Sequence, residues 1–163
     1  MRERLEQLPQ LAKDTSSETK KFFQKLKKRN LKDLDQKVLE IHNQVFDQTN
    51  CLDCANCCKT TGPLFERKDI DRISKYLRIK PAQFEQDYLC IDEDNDWVLQ
   101  QLPCRFLGED NACSIYDVRP KACREFPHTD RKKIYQIASH TQKNVAICPA
   151  AYDIVEKMKK QIG

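Results

Sequence analysis

The densest chemistry in the chain is the string Cys51-Leu-Asp-Cys54-Ala-Asn-Cys57-Cys58. It holds two overlapping C-x-x-C units and one adjacent cysteine. Two intervening residues let both sulfurs of a turn reach a single ion. A second group follows at Cys104, Cys113, Cys123 and Cys148, each close to a proline or turn former: Pro103, Asn111, Pro120 and Pro149. Together they make eight thiols, which is what two complete four-sulfur sites require, whether the occupant is tetrahedral Zn²⁺ or a cubane iron–sulfur cluster. Cys51, Cys54 and Cys57 reproduce the spacing of the first three ligands of the bacterial ferredoxin run, and Cys148-Pro149 could supply a remote Cys-Pro ligand. C-x-x-C knuckles suit zinc equally, so the spacing leaves both metals open.

Cys58 adds a constraint. Neighbouring residues of an extended chain point in different directions, so Cys57 and Cys58 are expected to serve different ions, giving a dinuclear or two-site centre unless one sulfur bridges. The ninth cysteine, Cys90, stands apart after Tyr88-Leu89 and reads as a buried core thiol.

Nine cysteines against three glycines in 163 residues is the unusual ratio of the composition. The N-terminal MRERLEQLPQ has no apolar signal-peptide region, and no run of 18 apolar residues occurs. Secretion and membrane spanning are therefore disfavoured and a cytoplasmic location is expected. In a reducing cytosol, clustered cysteines indicate metal binding or catalysis before disulfides.

Around the second cysteine group stand Arg105, Arg119, Lys121 and Arg124. Thiolate sites attract guanidinium donors, and Arg119 and Arg124 are the candidates for that supporting layer. Tyr116, Phe106 and Phe126 are expected to pack around the centre and limit solvent access. His42, His128 and His140 are read as packed or solvated residues, not ligands. The chain has no Gly-rich phosphate loop, no GxSxG and no HExxH, so it assigns no catalytic residue, and the chemistry narrows to the metal.

The formal charge of +4 is too small for a nucleic-acid binder, despite Lys25, Lys27, Lys28 and Arg29 and the run Arg131-Lys132-Lys133. Eight thiolates would take the chain to about −4, and two dications or two oxidised cubanes would return it to about neutral. The basic surplus is thus expected to balance sulfur charge.

The elements that must position these thiols are mostly helical. Leu31, Leu34, Val38, Ile41 and Val45 recur at helical spacing, predicting a helix over Leu31 to Phe46. Residues 1 to about 20 are polar, with Pro9 and the run Asp14 to Thr19 as punctuation, and Phe22, Phe23 and Leu26 give only one weakly apolar turn, so this segment is expected to form a frayed or loosely docked helix. The first cysteine cluster falls on a knuckle closed by Thr61, Gly62 and Pro63. Helices follow over Asp69 to Leu77 and from Pro81 through Phe84 and Tyr88. Short strands are expected at Trp97 to Leu102 and at Lys133 to Ala138. Pro149 opens a C-terminal helix with Tyr152, Val155 and Met158 on one face.

The resulting expectation is a mainly α chain with short β-strands, whose small irregular cysteine-rich core is wrapped by N- and C-terminal helices. Residues 1–46 form an N-terminal helical segment and residues 47–163 the cysteine-cluster domain with its C-terminal helix, together one compact domain.

CLDCANCC, then PCRFL, then CSIYDVRPKACREFP and a late Cys-Pro resemble the YkgJ-like CxxCxxCC family of zinc- or iron-chelating proteins. The match runs from Cys51 to Pro149 and includes the phrase from Ile115 to Pro127. The resemblance implies a chelated metal on the eight motif cysteines and has no place for Cys90. It supplies no settled reaction. A similar cluster occurs in flagellin lysine methylases, which keeps an enzymatic reading open. Three functions are thus carried forward: a zinc- or iron-binding module, an iron–sulfur enzyme or electron carrier (redox or methyl transfer), and a zinc-finger nucleic-acid binder. The metal ion is the one partner indicated; the sequence disfavours nucleic acid and names no protein partner.

Overall fold

The computed structural model describes residues 1–29 and 31–163. Among them the helices in chain order are α1 (Arg2–Asp14), α2 (Ser16–Lys28), α3 (Leu34–Phe46), α4 (Asn56–Thr60), α5 (Arg67–Leu77), α6 (Pro81–Tyr88), α7 (Lys121–Glu125), α8 (Ala138–Asn144) and α9 (Pro149–Ile162). The strands are β1 (Leu64–Phe65), β2 (Leu89–Ile91) and β3 (Trp97–Leu99). The chain is mainly α with a small sheet, as its sequence leads one to expect. It divides into two compact units, Met1–Cys54 with Pro127–Gly163, and Ala55–Phe126.

The first unit is helical. α3 buries Leu34, Val38, Ile41 and Val45, the stripe read from the sequence, against α9, which buries Ala150, Ala151, Ile154, Val155, Met158 and Ile162. Helix α3 starts at Leu34, with Asp33 before it and Leu31 packed on the core from outside the helix. Pro149 occupies the first turn of α9, where a missing N–H costs nothing.

The N-terminal segment is not frayed. α1 buries Leu8 and Ala12, and Ala12 joins Phe22, Phe23 and Leu26 of α2 in the same core as α3 and α9. Few apolar residues suffice because nearly all of each side chain is removed from water, and two phenylalanines carry most of the area. Polar ties reinforce the docking: Lys159 Nζ lies 2.8 Å from Glu18 Oε2, and Arg29 donates to the Ile162 carbonyl at 3.1 Å. Lys159 Nζ also stands 2.6 Å from the buried Glu156 Oε1, at ion-pair distance but without hydrogen-bond geometry. Pro9 lies inside α1 without ending it.

Lys133 to Ala138 is not a strand. Lys133 takes left-handed backbone angles (φ 52°) and donates its N–H to Asp35 Oδ1 at 2.7 Å; a 3-10 turn over Ile134–Ile137 then leads into α8. Ile134 and Ile137, three apart, meet the core on one side of that turn, which is helical spacing mistaken for alternation.

The second unit has its own core of Phe65, Ile70, Ile73, Phe84, Leu89, Leu99, Phe106 and Ile115. Its antiparallel sheet has the order β1-β3-β2, with Phe65 opposite Trp97 and Cys90 opposite Val98. The acidic turn between β2 and β3 closes through Asp92 Oδ1, which accepts the Asp94 and Asp96 N–H groups at 3.0 and 2.9 Å. Phe84, Tyr88 and Phe106 stack with ring centroids 5.0 and 5.1 Å apart along the series. α5 begins with a reciprocal capping box between Glu66 and Asp69.

Candidate metal centre

In Ala55–Phe126, Ala55 adopts left-handed angles (φ 47°) and the chain turns directly into α4, which carries Cys57 and Cys58. The segment is a helical turn, not the extended chain assumed from sequence. The two Sγ atoms stand 4.0 Å apart. Two sulfurs bound tetrahedrally to one zinc at about 2.3 Å lie about 3.8 Å from each other, so the divergence expected of these neighbours does not arise.

Cys58 is tied to the second cysteine group through its backbone: the Cys104 N–H donates to the Cys58 carbonyl at 2.8 Å. Cys104 and Cys113 occupy the two arms of a tight turn. Leu107 and Cys113 form an antiparallel bridge, the Gly108 N–H reaches the Ala112 carbonyl at 2.8 Å, and Asn111 supplies the left-handed residue (φ 63°). Cys123 sits on α7, its N–H bonded to the Pro120 carbonyl at 3.0 Å.

The electrostatics show these sulfurs acting on one another. Burial pushes Cys123 up to about 12, and the charges of Cys58, Cys104 and Cys113 push the same way. Burial also raises Cys104 and Cys113, with Cys58 adding to both; the backbone N–H groups of Phe106 and Leu107 at Cys104, and of Ile115 at Cys113, pull back down. Cys58 is raised first by its hydrogen bond with Cys57 and then by burial. N–H groups aimed at sulfur from two and three residues ahead stabilise thiolate, as a chelating knuckle requires.

Arg119 is the cation that acts on the sulfurs, lowering both Cys113 and Cys123, while Lys59 lowers Cys58. Arg119 also stacks on Tyr116, 3.8 Å from the ring centroid. Arg124 donates to the Arg119 carbonyl at 3.0 Å, and Arg105 lies over Tyr88 and donates to the Asp87 carbonyl. Of the three aromatics expected to shield the centre, Phe106 is buried and Phe126 half-buried, but Tyr116 is 60% exposed and shields nothing. Cys90 is exposed on β2, not a core thiol: of that strand's three residues only Leu89 is buried.

The basic surplus does not lie in the unit that holds Cys57, Cys58, Cys104, Cys113 and Cys123. Ala55–Phe126 holds more acidic than basic residues, and the lysine-rich stretches at 25–29 and 131–133 belong to the other unit. Charge compensation is local, through Arg119 and Lys59.

The first unit holds Cys51, Cys54 and Cys148. Cys51–Asp53 is a 3-10 turn capped by Asn50, whose Oδ1 accepts the Leu52 N–H at 3.2 Å while its Nδ2 donates to Asp53 at 3.0 Å. Cys148 is the residue before α9 and is pushed up to about 11, by burial first. The Ala151 and Ala150 N–H groups pull it back, short of a full capping hydrogen bond, and the charges of Cys51 and Cys54 raise it. These three thiols therefore stand within electrostatic reach of one another. His42 Nδ1 pairs with Thr129 Oγ1 at 2.9 Å, His128 adopts left-handed angles (φ 62°), and His140 is exposed.

No disulfide joins any cysteine among the described residues. Nor do any three His, Cys, Asp or Glu side chains among them converge on one point in ligating geometry. The donor chemistry nonetheless fits a thiophilic metal: half-buried sulfurs, mutually repelling as thiolates and faced by backbone N–H groups, gain most from a cation that removes the repulsion.

Sequence reasoning missed Asp69 and Arg72 on α5, which grip the segment carrying Cys123; the only trace was the Glu66…Asp69 capping-box spacing.

The described residues thus form a mainly helical, cysteine-rich protein with thiols in each of its two units. Residues 50–149, more than half of the chain, match the family model "CxxCxxCC: Putative zinc- or iron-chelating domain", and the chain belongs to that family. No solved structure matches it.

Proposed function

We propose that the protein binds zinc or iron through eight cysteine thiolates, with one site in each unit. In Ala55–Phe126 the ligands are Cys58, Cys104, Cys113 and Cys123, with Cys57 alongside; in the other unit Cys51, Cys54 and Cys148 contribute. The observation that carries the reading is that α4, the 104–113 turn and α7 bring Cys58, Cys104, Cys113 and Cys123 within electrostatic reach of one another, with the Cys104 N–H bonded to the Cys58 carbonyl at 2.8 Å. Four thiols from separate elements satisfy a tetrahedral ion without further ligands, and Arg119 offsets part of their charge. When bound, the metal would supply a fixed cross-link or, as an iron–sulfur cluster, an electron store.

Elemental analysis with an absorption spectrum of anaerobically purified protein tests this. Zinc without visible absorption supports the chelating module; iron with sulfide and broad visible absorption supports an electron carrier or iron–sulfur enzyme. Folded protein that contains neither metal and takes up neither on reconstitution overturns the proposal.

A further inference from the structure

Asp69 is 2% exposed, yet it is a carboxylate with three hydrogen-bond donors. Its Oδ2 accepts the Glu66 N–H at 3.0 Å, completing the capping box of α5. A capping residue needs no more than that. Its Oδ1 instead reaches a distant segment, accepting the Lys121 N–H at 3.1 Å and Arg72 Nη2 at 2.6 Å. Arg72 then reaches the same segment, donating from Nε to the Val118 carbonyl at 3.2 Å and from Nη2 to the Arg119 carbonyl at 2.9 Å.

The grip falls at the entry to α7. Pro120 has no N–H, and Lys121 opens the five-residue α7, whose first N–H groups have no partner within the helix. Asp69 satisfies one of them and puts negative charge at that helix end. Cys123 follows within the same turn, so any movement of Lys121 passes directly to its sulfur. Arg119, whose charge acts on Cys113 and Cys123, hangs from the carbonyl that Arg72 holds.

We infer that the Asp69–Arg72 pair is the positioning device of the thiol site in this unit, setting where Cys123 and Arg119 stand relative to Cys58, Cys104 and Cys113. The inference rests on those thiols being ligands, as proposed above. Neither residue touches the metal; both act through the backbone of Val118 to Lys121.

The test uses the full chain as parent, Asp69→Asn and Arg72→Lys. Asn keeps the size and one acceptor but loses the charge facing Arg72; Lys keeps a charge but cannot fork to two carbonyls. Cobalt(II) is titrated into each, reading affinity and the d–d bands that report tetrahedral thiolate ligation. In parallel, the metal-free proteins are alkylated and each cysteine is followed by mass spectrometry. The expected result is weakening of cobalt binding by about 10- to 100-fold with altered d–d bands, the usual effect of losing support behind a ligand, and faster alkylation of Cys123 than of Cys104. Circular dichroism should stay at the parental value. Should Asp69→Asn fail to fold, Arg72→Lys carries the test alone. Parental bands and affinity together with parental Cys123 reactivity overturn the inference, as does equal acceleration at every cysteine. If the parent takes up no cobalt, the chelating function falls instead, and the alkylation arm by itself decides whether the pair positions Cys123.

Discussion

Cys57 and Cys58 hold their Sγ atoms 4.0 Å apart on the single turn of α4. Adjacent cysteines so placed can serve one ion, and the charge of Cys58 also raises Cys104, Cys113 and Cys123. Cys58→Ser is therefore expected to lower the metal content by one ion per chain, measured by native mass spectrometry after zinc reconstitution. Cys90→Ser, exposed on β2, is expected to leave the stoichiometry at the parental value.

The docking of the N-terminal helices gives a second expectation. Phe23 is 2% exposed in the core that α2 shares with α9. Truncating a buried phenylalanine removes its transfer energy and leaves a cavity, so Phe23→Ala should destabilise by about 3–5 kcal/mol. A frayed segment would lose almost nothing. Chemical denaturation followed by circular dichroism separates the two.

His42 makes the stability of its unit depend on pH. Burial lowers its pKa, with Asp130 pulling the other way, while Nδ1 pairs with the buried Thr129 hydroxyl and the ring lies 4.5 Å from that of Phe46. A histidine whose folded pKa lies below its unfolded value of about 6.5 binds its proton more readily when unfolded. Its stabilising contribution is full above the unfolded value and declines as pH falls toward the folded one. Melting temperature should drop between neutral and mildly acidic pH, and His42→Gln should flatten that drop.

How much of this was legible beforehand depended on the residue. α3, α5, α6 and α9 announced themselves because their apolar residues repeat at helical spacing and two carry proline at the first turn. α1 and α2 did not, since burying Ala12, Phe22 and Phe23 depends on partners such as those of α9 that no local window contains. The eight motif cysteines were readable as candidate ligands from type and spacing alone. Their surroundings were not: Tyr116 faces solvent because the 3-10 turn at Tyr116–Val118 rotates it outward, and the clamp on Cys123 comes from α5, about fifty residues earlier in the chain.

Arg119 and Arg124 were indistinguishable in sequence, and the structure separates them. Arg119 lowers the pKa of Cys113 and Cys123, whereas the Arg124 guanidinium is spent on the Arg119 carbonyl. Removing the Arg119 charge leaves burial and sulfur repulsion opposed only by the Ile115 N–H at Cys113 and unopposed at Cys123, so both thiols rise further and less thiolate is present at any given pH. Since thiolate is the nucleophile, Arg119→Gln should slow alkylation of Cys113 and Cys123 in the metal-free protein at mildly alkaline pH. Arg124→Gln should leave those rates close to parental. Arg119 is half-buried, so salt reaches it: added salt should narrow the gap between parent and Arg119→Gln, because screening weakens an exposed charge more than a buried one. Equal rates in parent and Arg119→Gln at low salt would remove Arg119 from the electrostatics of the site.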